Sequence, residues 1–350
     1  MKKIGILTFF GVPNYGAWAQ AFALNNVVRE LVKDEVLVEH IDYLNQTHYD
    51  LYYKSDMKLF NNFRYSWNCI PHSKRMTCAK DLEETEYDVI ITGSDSIWEF
   101  SLPEMGNDEH LIGNNLSAST IISYAASAGV TELESIKDIN LLAGLNKYNS
   151  ISVRDNFTAD SVEHIIGIRP NVVLDPVFIW QGDEKYIIHP EYDNYIAVYG
   201  VEWTDEFIYF ARKFARENGK KLISIGWINP WCDVSFRMNE LRTLEWMGML
   251  KDADYVFTST FHGLMFSLKY EKQVKFCLVD YVKNRAETLL GLCGNIFELY
   301  NKDNIGYKDI FNNSIDYSIV TSNIEAQRKK SLNYLEKALD GYTKNTEFKK

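Results

Sequence analysis

A histidine, His262, occupies the position in this sequence that best suits proton-transfer chemistry. An apolar run typical of a strand, residues 255–258, is followed by polar residues and then by a helix-like stretch that carries His262. Ligands of open α/β sheets gather at the carboxyl ends of strands, and an imidazole can change its charge near neutral pH. The sequence therefore makes His262 the first candidate for a reacting side chain, with packing within the helix as the alternative.

A glycine-containing turn follows the first predicted strand. Gly11 and Gly16 let the backbone turn tightly and approach a ligand, and Asn14 lies between them. The helix that begins near Ala17 presents amide groups suited to an anion. The spacing is neither GxGxxG nor that of a P-loop, whose lysine is replaced by Ala17, so dinucleotide and ATP binding are weakly supported. The turn is a candidate ligand loop, and a purely structural turn is the alternative.

Hydroxyl, carboxylate and aromatic side chains follow the strand predicted over 87–92. Ser94 and Asp95 come directly after a glycine, and Trp98 follows them. Asp95 can accept a proton from a sugar hydroxyl, and Trp98 can stack on a sugar ring. The alternative for this segment is a helix cap followed by a core tryptophan.

Two arginines are candidate anion ligands. Arg154 ends the strand predicted over 150–153, and its guanidinium suits two-pronged contact with a carboxylate or phosphate; an ion pair with the neighbouring Asp155 is the alternative. Arg285 opens an apolar helix. Asp175 precedes a proline, and we interpret it as part of a structural turn rather than as a cleft carboxylate.

The elements that carry these residues alternate between strand and helix patterns, which predicts mostly parallel sheets covered by helices on both faces. We predict an α/β protein of two Rossmann-like, doubly wound domains that face a cleft: an N-terminal domain over 1–185, a C-terminal domain over 186–318, and a last helix within 319–350 able to pack back on the first domain.

Residues 50–80 lack a clean hydrophobic period and are longer than an ordinary connection. This predicts an insertion that covers a site, with a mobile lid as the more specific version of the prediction. The predicted strands are 4–9, 36–43, 87–92, 121–125, 150–153, 172–174, 195–199, 221–225, 255–258 and 274–278, and the clearest helices are 17–32, 205–218 and 239–250.

Composition excludes several classes of function. The chain of 350 residues has a net charge of −11, which argues against a nucleic-acid partner. Its five cysteines form no CxxC pair, which favours a reducing compartment and disfavours a metal site. The N-terminal apolar run is too short for a signal peptide, and no run approaches the length of a transmembrane segment. We expect a soluble cytoplasmic protein that uses no metal and no bound cofactor.

Six short motifs follow one another along the chain: Asn14-Tyr15-Gly16-Ala17, Gly93-Ser94-Asp95 with Trp98, Tyr124-Ala125-Ala126-Ser127, Ser152-Val153-Arg154-Asp155, Leu174-Asp175-Pro176 and Phe261-His262-Gly263. Taken together, these loops resemble those of the polysaccharide pyruvyl transferase family, over about residues 3–294. Members of that family transfer the enolpyruvyl carbons of phosphoenolpyruvate to a sugar, usually as a cyclic ketal on two hydroxyls, and their fold is similar to that of GT-B glycosyltransferases. The resemblance implies phosphoenolpyruvate as the donor and a saccharide acceptor, with or without a lipid link at the inner membrane face.

The resemblance also implies roles for single residues. Arg154 and Arg285 would neutralise the carboxylate and phosphate of the donor. Our own hypothesis adds that His262 acts as general acid or holds the phosphate, and that Asp95 is the base toward the acceptor hydroxyl. The remaining candidates for substrate binding are Asn14, Gly16, Ser94, Trp98 and Thr260.

Two positions depart from the family pattern. Ser96 stands where glutamine is common, and Ser259-Thr260 stand where an Asp-Ser pair is common. Two other functions therefore stay open: a GT-B glycosyltransferase that uses a nucleotide-sugar, and a non-catalytic member that binds a saccharide.

Overall fold

The computed structural model of the protein describes residues 1–53, 57–76, 78–302 and 304–344. Residues 54–56 and 77 of the predicted insertion, and 345–350 of the predicted last segment, lie outside the described residues. The chain divides into two compact units. The first contains Met1–Met57, Trp67–Trp180 and Gln327–Lys350, and the second contains Lys58–Ser66 and Gln181–Ala326.

The first unit is built on a parallel sheet with the strand order β2-β1-β3-β4. A short parallel pair, β5 and β6, continues beside β4 through single bridges. The two central strands, β1 and β3, are mostly buried and apolar, as expected for strands of a parallel sheet that is covered on both faces. Their bounds are β1 Lys3–Leu7, β2 Leu37–His40, β3 Tyr87–Thr92, β4 Ala118–Ser123, β5 Ser152–Val153 and β6 Asn171–Val172.

Helices cover this sheet and connect its strands. The longest, α1, begins at a capping side chain: the Asn14 oxygen accepts a hydrogen bond from the Ala17 amide at 3.1 Å. The helices up to the end of this part of the chain are α1 Tyr15–Leu31, α2 Gln46–Tyr53, α3 Met57–Asn68, α4 Ala79–Glu83, α5 Ile139–Leu142, α6 Asn156–Ile166 and α7 Pro176–Ile179.

The second unit has its own parallel sheet, in the order β11-β10-β7-β8-β9. All five residues of the central strand β7 are buried. The strands are β7 Tyr195–Tyr199, β8 Lys221–Gly226, β9 Val234–Arg237, β10 Tyr255–Thr258 and β11 Gln273–Phe276, and the helices are α8 Asp205–Glu217, α9 Thr243–Lys251, α10 Phe261–Lys269, α11 Asp280–Leu292, α12 Tyr307–Asn312 and α13 Tyr317–Ala338.

The segment predicted as an insertion is helical up to Asn68 where it is described, and then forms a loop in which His72 and Met76 make single parallel bridges. Lys58–Ser66 of α3 belong to the second unit, whereas the sequence analysis placed all of 50–80 in the first domain. The Asn62 amide donates to the Met238 and Leu241 carbonyls at 3.1 and 2.7 Å, and the Ser66 hydroxyl lies 2.9 Å from that of Thr243. These hydrogen bonds attach the middle of α3 to the start of α9.

The last helix, α13, contributes to both units, because Gln327 and the residues after it are grouped with the first. Its Tyr334 hydroxyl donates to the Ser123 carbonyl at 2.9 Å and accepts from the Ser150 hydroxyl at 3.0 Å. The second half of α13 is therefore part of the first unit. In the ranges described, every helix is too short or too polar to cross a membrane.

Candidate functional site

In the first unit, Arg154 is the centre of a buried charged cluster at the carboxyl ends of β3 and β5. Its Nη1 lies 2.8 Å from Asp175 Oδ2, and its Nη2 lies 3.4 Å from both Asp95 Oδ1 and Ser96 Oγ. The side chain of Arg154 is only 2% exposed. The alternative, an ion pair between Arg154 and the neighbouring Asp155, is not the one that forms: Asp155 instead caps α6 by accepting from the Thr158 amide at 2.8 Å.

The charges of this cluster bear on the role predicted for Arg154. One guanidinium faces two carboxylates, so the three side chains together carry a formal charge of −1. Burial alone would lower the pKa of Arg154, but the charges of Asp95 and Asp175 outweigh burial and hold that pKa above its ordinary value. An arginine in these surroundings positions carboxylates rather than attracting a dianion, which argues against the expected contact between Arg154 and the donor.

Asp95 is the member of the cluster best placed to meet a substrate. Its side chain is 13% exposed, against 1% for Asp175. Its backbone has the left-handed value φ 74°, a conformation that aspartate adopts more readily than most residues. The Asp95 carbonyl accepts from the Ser127 amide at 2.9 Å, and its Oδ1 accepts from the Ser96 amide at 2.8 Å. The structure therefore holds the Asp95 carboxylate at a defined place on the sheet edge.

Two other candidates after β3 have structural roles instead. Ser94 is fully buried, and its hydroxyl donates to Asp175 Oδ2 at 3.3 Å. Trp98 is fully buried as well, and its indole N–H donates to the Leu111 carbonyl at 2.8 Å. The alternative of a core tryptophan therefore describes Trp98, and neither side chain is exposed to a sugar.

The turn after β1 is tied to the same edge. Asn14 is exposed, and its side-chain oxygen caps α1, while Gly16 is buried in the first turn of that helix. Gln20 donates to the Thr8 hydroxyl at 3.1 Å, and Thr8 donates to the Ser94 carbonyl at 2.8 Å. These bonds fix the turn relative to the loop that carries Asp95.

In the second unit, His262 lies in the first turn of α10, directly after β10. Thr260 caps the helix: its hydroxyl accepts from the Gly263 amide at 3.0 Å. A Cβ on Gly263 would lie 2.1 Å from Thr258 Oγ1, so the chain requires a glycine there for the helix to start so close to the strand. His262 is half-buried. The strand end, the cap and the glycine together fix the backbone that presents the imidazole.

Arg285 of α11 lies next to the same turn. Its guanidinium is 5.7 Å from the centre of the Phe261 ring and 4.7 Å from that of Tyr281, and its Nη2 donates to the Tyr281 carbonyl at 2.7 Å. The imidazole of His262 is 6.1 Å from the Phe261 ring, centre to centre. Phe261 thus has a guanidinium and an imidazole as neighbours. This edge of the second unit is suited to an anionic ligand.

Comparison with known proteins identifies the family of the chain. The family model for polysaccharide pyruvyl transferase matches residues 14–279. The chain belongs to the polysaccharide pyruvyl transferase family. It is accordingly a transferase, and the matched residues include every candidate site residue except Arg285. No curated protein sequence matches the chain.

Solved structures support the fold. MnaA from S. aureus, in a structure with UDP, is 12% identical, with 97% of each chain covered and a TM-score of 0.53. A Listeria monocytogenes protein assigned as a UDP-N-acetylglucosamine 2-epimerase is 10% identical, with 98% of this chain and 92% of the other covered and a TM-score of 0.50. At such identities the likeness shows the fold alone, which confirms the prediction of Rossmann-like α/β domains of the GT-B type.

The two positions that depart from the pyruvyl transferase pattern, Ser96 and Ser259, both lie in loops that follow strands. Ser96 joins the Arg154 cluster through its hydroxyl. Ser259 is buried, and its side chain is directed at Gly200, where an added Cβ would lie 2.2 Å from Ser259 Oγ. A carboxylate in place of Ser259 would meet that loop.

One member of the site was missed by sequence reasoning. Asp175 does cap α7, as a turn residue should, by accepting from the Val177 amide at 3.1 Å. Its other oxygen binds Arg154, so it is also the main partner of that arginine. The signal was present in the sequence, because an aspartate directly after a predicted strand lies at the edge where α/β proteins bind ligands.

Proposed function

We propose that this pyruvyl transferase family member transfers pyruvate from phosphoenolpyruvate to hydroxyls of a saccharide, forming a ketal during the synthesis of a cell-surface or exported polysaccharide. The observation that carries the proposal is that Phe261 has both the Arg285 guanidinium and the His262 imidazole as neighbours. The turn that carries Phe261 and His262 lies within the family match. Phosphoenolpyruvate carries a carboxylate and a phosphate, and a guanidinium beside an imidazole suits both groups.

The reaction needs one proton on carbon and one leaving group. A proton reaches the methylene carbon of the donor, a sugar hydroxyl attacks the adjacent carbon, and phosphate leaves; a second hydroxyl closes the ketal. Of the two hydroxyl protons displaced, one is balanced by the new methyl C–H bond and the other leaves on phosphate. We assign His262 as the general acid or phosphate ligand, and Arg285 as the ligand of a donor anion.

Asp95 is the proposed base toward the acceptor hydroxyl, and Arg154 is a positioning residue that holds it. This division follows from charge: the Arg154 cluster is net negative and suits neutral hydroxyls, whereas the Phe261 turn carries the cationic groups. The proposal includes a saccharide acceptor, with or without a lipid link, and a reaction that uses no bound cofactor.

The test incubates the purified chain with phosphoenolpyruvate and a panel of saccharides, and measures released phosphate and the mass of the sugar product. We expect phosphate release that depends on the acceptor and a product heavier by one pyruvyl ketal. His262→Ala should lower turnover by about 10²–10⁴-fold, the usual contribution of a general acid. His164→Ala, an exposed histidine of α6, is the matched control and should leave turnover unchanged.

Three results would contradict the proposal. Undiminished phosphate release by His262→Ala would remove His262 from the mechanism. Binding of a nucleoside diphosphate without any binding of phosphoenolpyruvate would favour the glycosyltransferase alternative. Saccharide binding with no turnover of either type of donor would favour a non-catalytic member.

A further inference from the structure

Three tryptophans lie in the loops that follow β7 and β8 of the second unit. Trp203, Trp227 and Trp231 are all half-buried. Two apolar side chains of the same loops, Val201 and Ile228, are 55% and 50% exposed. We refer to these five residues as the tryptophan patch. Contiguous exposed apolar patches on protein surfaces commonly mark binding sites.

The rings of the patch are fixed by the protein. Trp203 packs on Phe207 of α8 with ring centres 5.1 Å apart, and its indole N–H donates to the Gly200 carbonyl at 3.2 Å. Trp231 stands nearly perpendicular to Trp203, at 82° and 5.5 Å. Trp227 leans on the buried Tyr199 at 4.9 Å. Each tryptophan therefore has protein on one side and remains partly exposed on another.

A buried amide joins the two loops. Asn229 donates to the Gly200 carbonyl at 3.0 Å and to the Ser224 hydroxyl at 2.8 Å. The Ser224 hydroxyl in turn donates to the Trp227 carbonyl at 2.7 Å. The loop after β8 is thus bonded to the loop after β7, and the patch is one ordered surface.

The patch is continuous with the loop that leads to His262. Strands β7, β8 and β10 are parallel neighbours, so the loops after them share one edge of the sheet. The Thr258 hydroxyl donates to the Tyr199 carbonyl at 2.7 Å, and Gly200 packs directly against Ser259. Gly200 directly precedes Val201 of the patch, and Ser259 lies three positions before His262. The tryptophan patch is therefore adjacent to the proposed donor-binding turn.

We propose that the tryptophan patch binds a sugar ring of the saccharide acceptor, an inference that rests on the proposed function. A sugar presents an apolar face of C–H groups, which an indole face covers, and a rim of hydroxyls. In the part of the chain that is described, the indole N–H groups of Trp227 and Trp231 have no hydrogen-bond partner, and Glu202 places an exposed carboxylate in the loop after β7. Hydrogen-bond donors and a hydrogen-bond acceptor beside aromatic faces suit the hydroxyl-bearing ring of a sugar better than they suit an apolar protein surface.

The experiment screens the whole chain on an array of defined bacterial-surface oligosaccharides and titrates the tightest binder by calorimetry, without phosphoenolpyruvate. We expect saturable binding, a loss of about tenfold or more in affinity for Trp231→Ala, and near-normal affinity for Trp231→Phe, which keeps an aromatic face. Tyr209→Ala removes an aromatic ring that is 60% exposed on α8 and should leave binding unchanged. Thermal unfolding of each variant checks that it is folded.

The outcomes separate this proposal from the proposed function. No binding on the array, or equal binding by wild type and Trp231→Ala, overturns the patch. The proposal is also overturned if sedimentation shows that the wild-type protein self-associates and that Trp231→Ala is monomeric, because the patch is then an interface between copies of the chain. Sugar binding that depends on Trp231 in a chain unable to consume phosphoenolpyruvate supports the patch and contradicts only the reaction. Direct titration with phosphoenolpyruvate should give the same Kd for Trp231→Ala and wild type.

Discussion

Arg154 illustrates how neighbours decide the role of a side chain. The residue type and its place after a strand predicted an anion ligand, but Asp95 and Asp175 occupy its guanidinium. These partners lie 59 and 21 residues away in the sequence. Local pattern identifies such an arginine as a candidate, and only the fold shows what it binds. The same limit applied to Trp98, whose burial no local spacing reveals.

The Arg154–Asp175 pair gives a prediction for stability. Arg154→Met leaves two carboxylates facing each other, and Asp175→Asn removes the closer partner of a buried cation, so each should lower the free energy of unfolding by about 3–5 kcal/mol. The double variant should lose less than the sum, because it removes both members of the buried pair and leaves only the partly exposed Asp95 without its cation. Urea denaturation monitored by circular dichroism measures all four proteins.

Additive losses would contradict this prediction, since they would mean that the two side chains are not coupled. Asp160→Asn is a suitable control: Asp160 pairs with Arg169 on an exposed surface, where an ion pair contributes about 0–1 kcal/mol.

Among the secondary-structure elements, the buried central strands were the most predictable. The apolar runs over 87–92, 195–199 and 255–258 coincide with β3, β7 and β10. The strand β9 was missed, because Val234–Arg237 is a half-buried edge strand without an apolar run. Runs that continue beyond a strand end, as at Phe9 and Ala125, reflect loop residues that are also packed, and burial alone does not distinguish the two.

A short 3₁₀-helical turn, Glu109–Ile112, carries a buried charged cluster that predicts pH-dependent stability. His110 lies 2.7 Å from Asp108 and 3.0 Å from Glu83. Burial opposes the charged imidazole, but hydrogen bonds and charges from Asp108 and Glu83 outweigh burial and raise the pKa of His110. For Asp108, burial is outweighed by the hydrogen bond from His110, and its pKa is lowered.

The sign of the pH effect follows. Protonated His110 stabilises the fold below its unfolded pKa of about 6.5, and this contribution disappears as pH rises through the higher folded value. The difference in unfolding free energy between wild type and His110→Gln should therefore be larger at pH 6 than at pH 9. Chemical denaturation across that range tests it, and a difference that grows with pH would contradict it. His164→Gln, an exposed histidine, should show no such trend.

At the scale of the whole molecule, α13 contributes residues to both compact units. Its C-terminal half completes the first unit through Tyr334, and the Ser331 hydroxyl accepts from the Leu174 amide at 3.0 Å. The sequence predicted the helix from its apolar spacing. The hydrogen bonds of Tyr334 join residues about 200 positions apart, 211 in the case of Ser123, and lie beyond any local pattern.

The contacts of Tyr334 predict that the end of the chain stabilises its beginning. Tyr334→Phe removes the hydrogen bonds to Ser123 and Ser150 while keeping the ring, so it should lower the free energy of unfolding by about 1–2 kcal/mol. Asn333→Ala, at the exposed neighbouring position, is the control and should change it by less than about 0.5 kcal/mol. Thermal unfolding reports both, and equal stability of Tyr334→Phe and wild type would count against the role of this hydroxyl.

The excess negative charge around Arg154 has a consequence for turnover. Under the proposed reaction, the acceptor arrives as a neutral alcohol and departs with a new carboxylate. A cluster of two carboxylates and one guanidinium has a net negative charge, so it repels the new carboxylate of the product but does not repel the neutral alcohol. The cluster that orients Asp95 would thus also weaken the hold on the finished product and favour its departure.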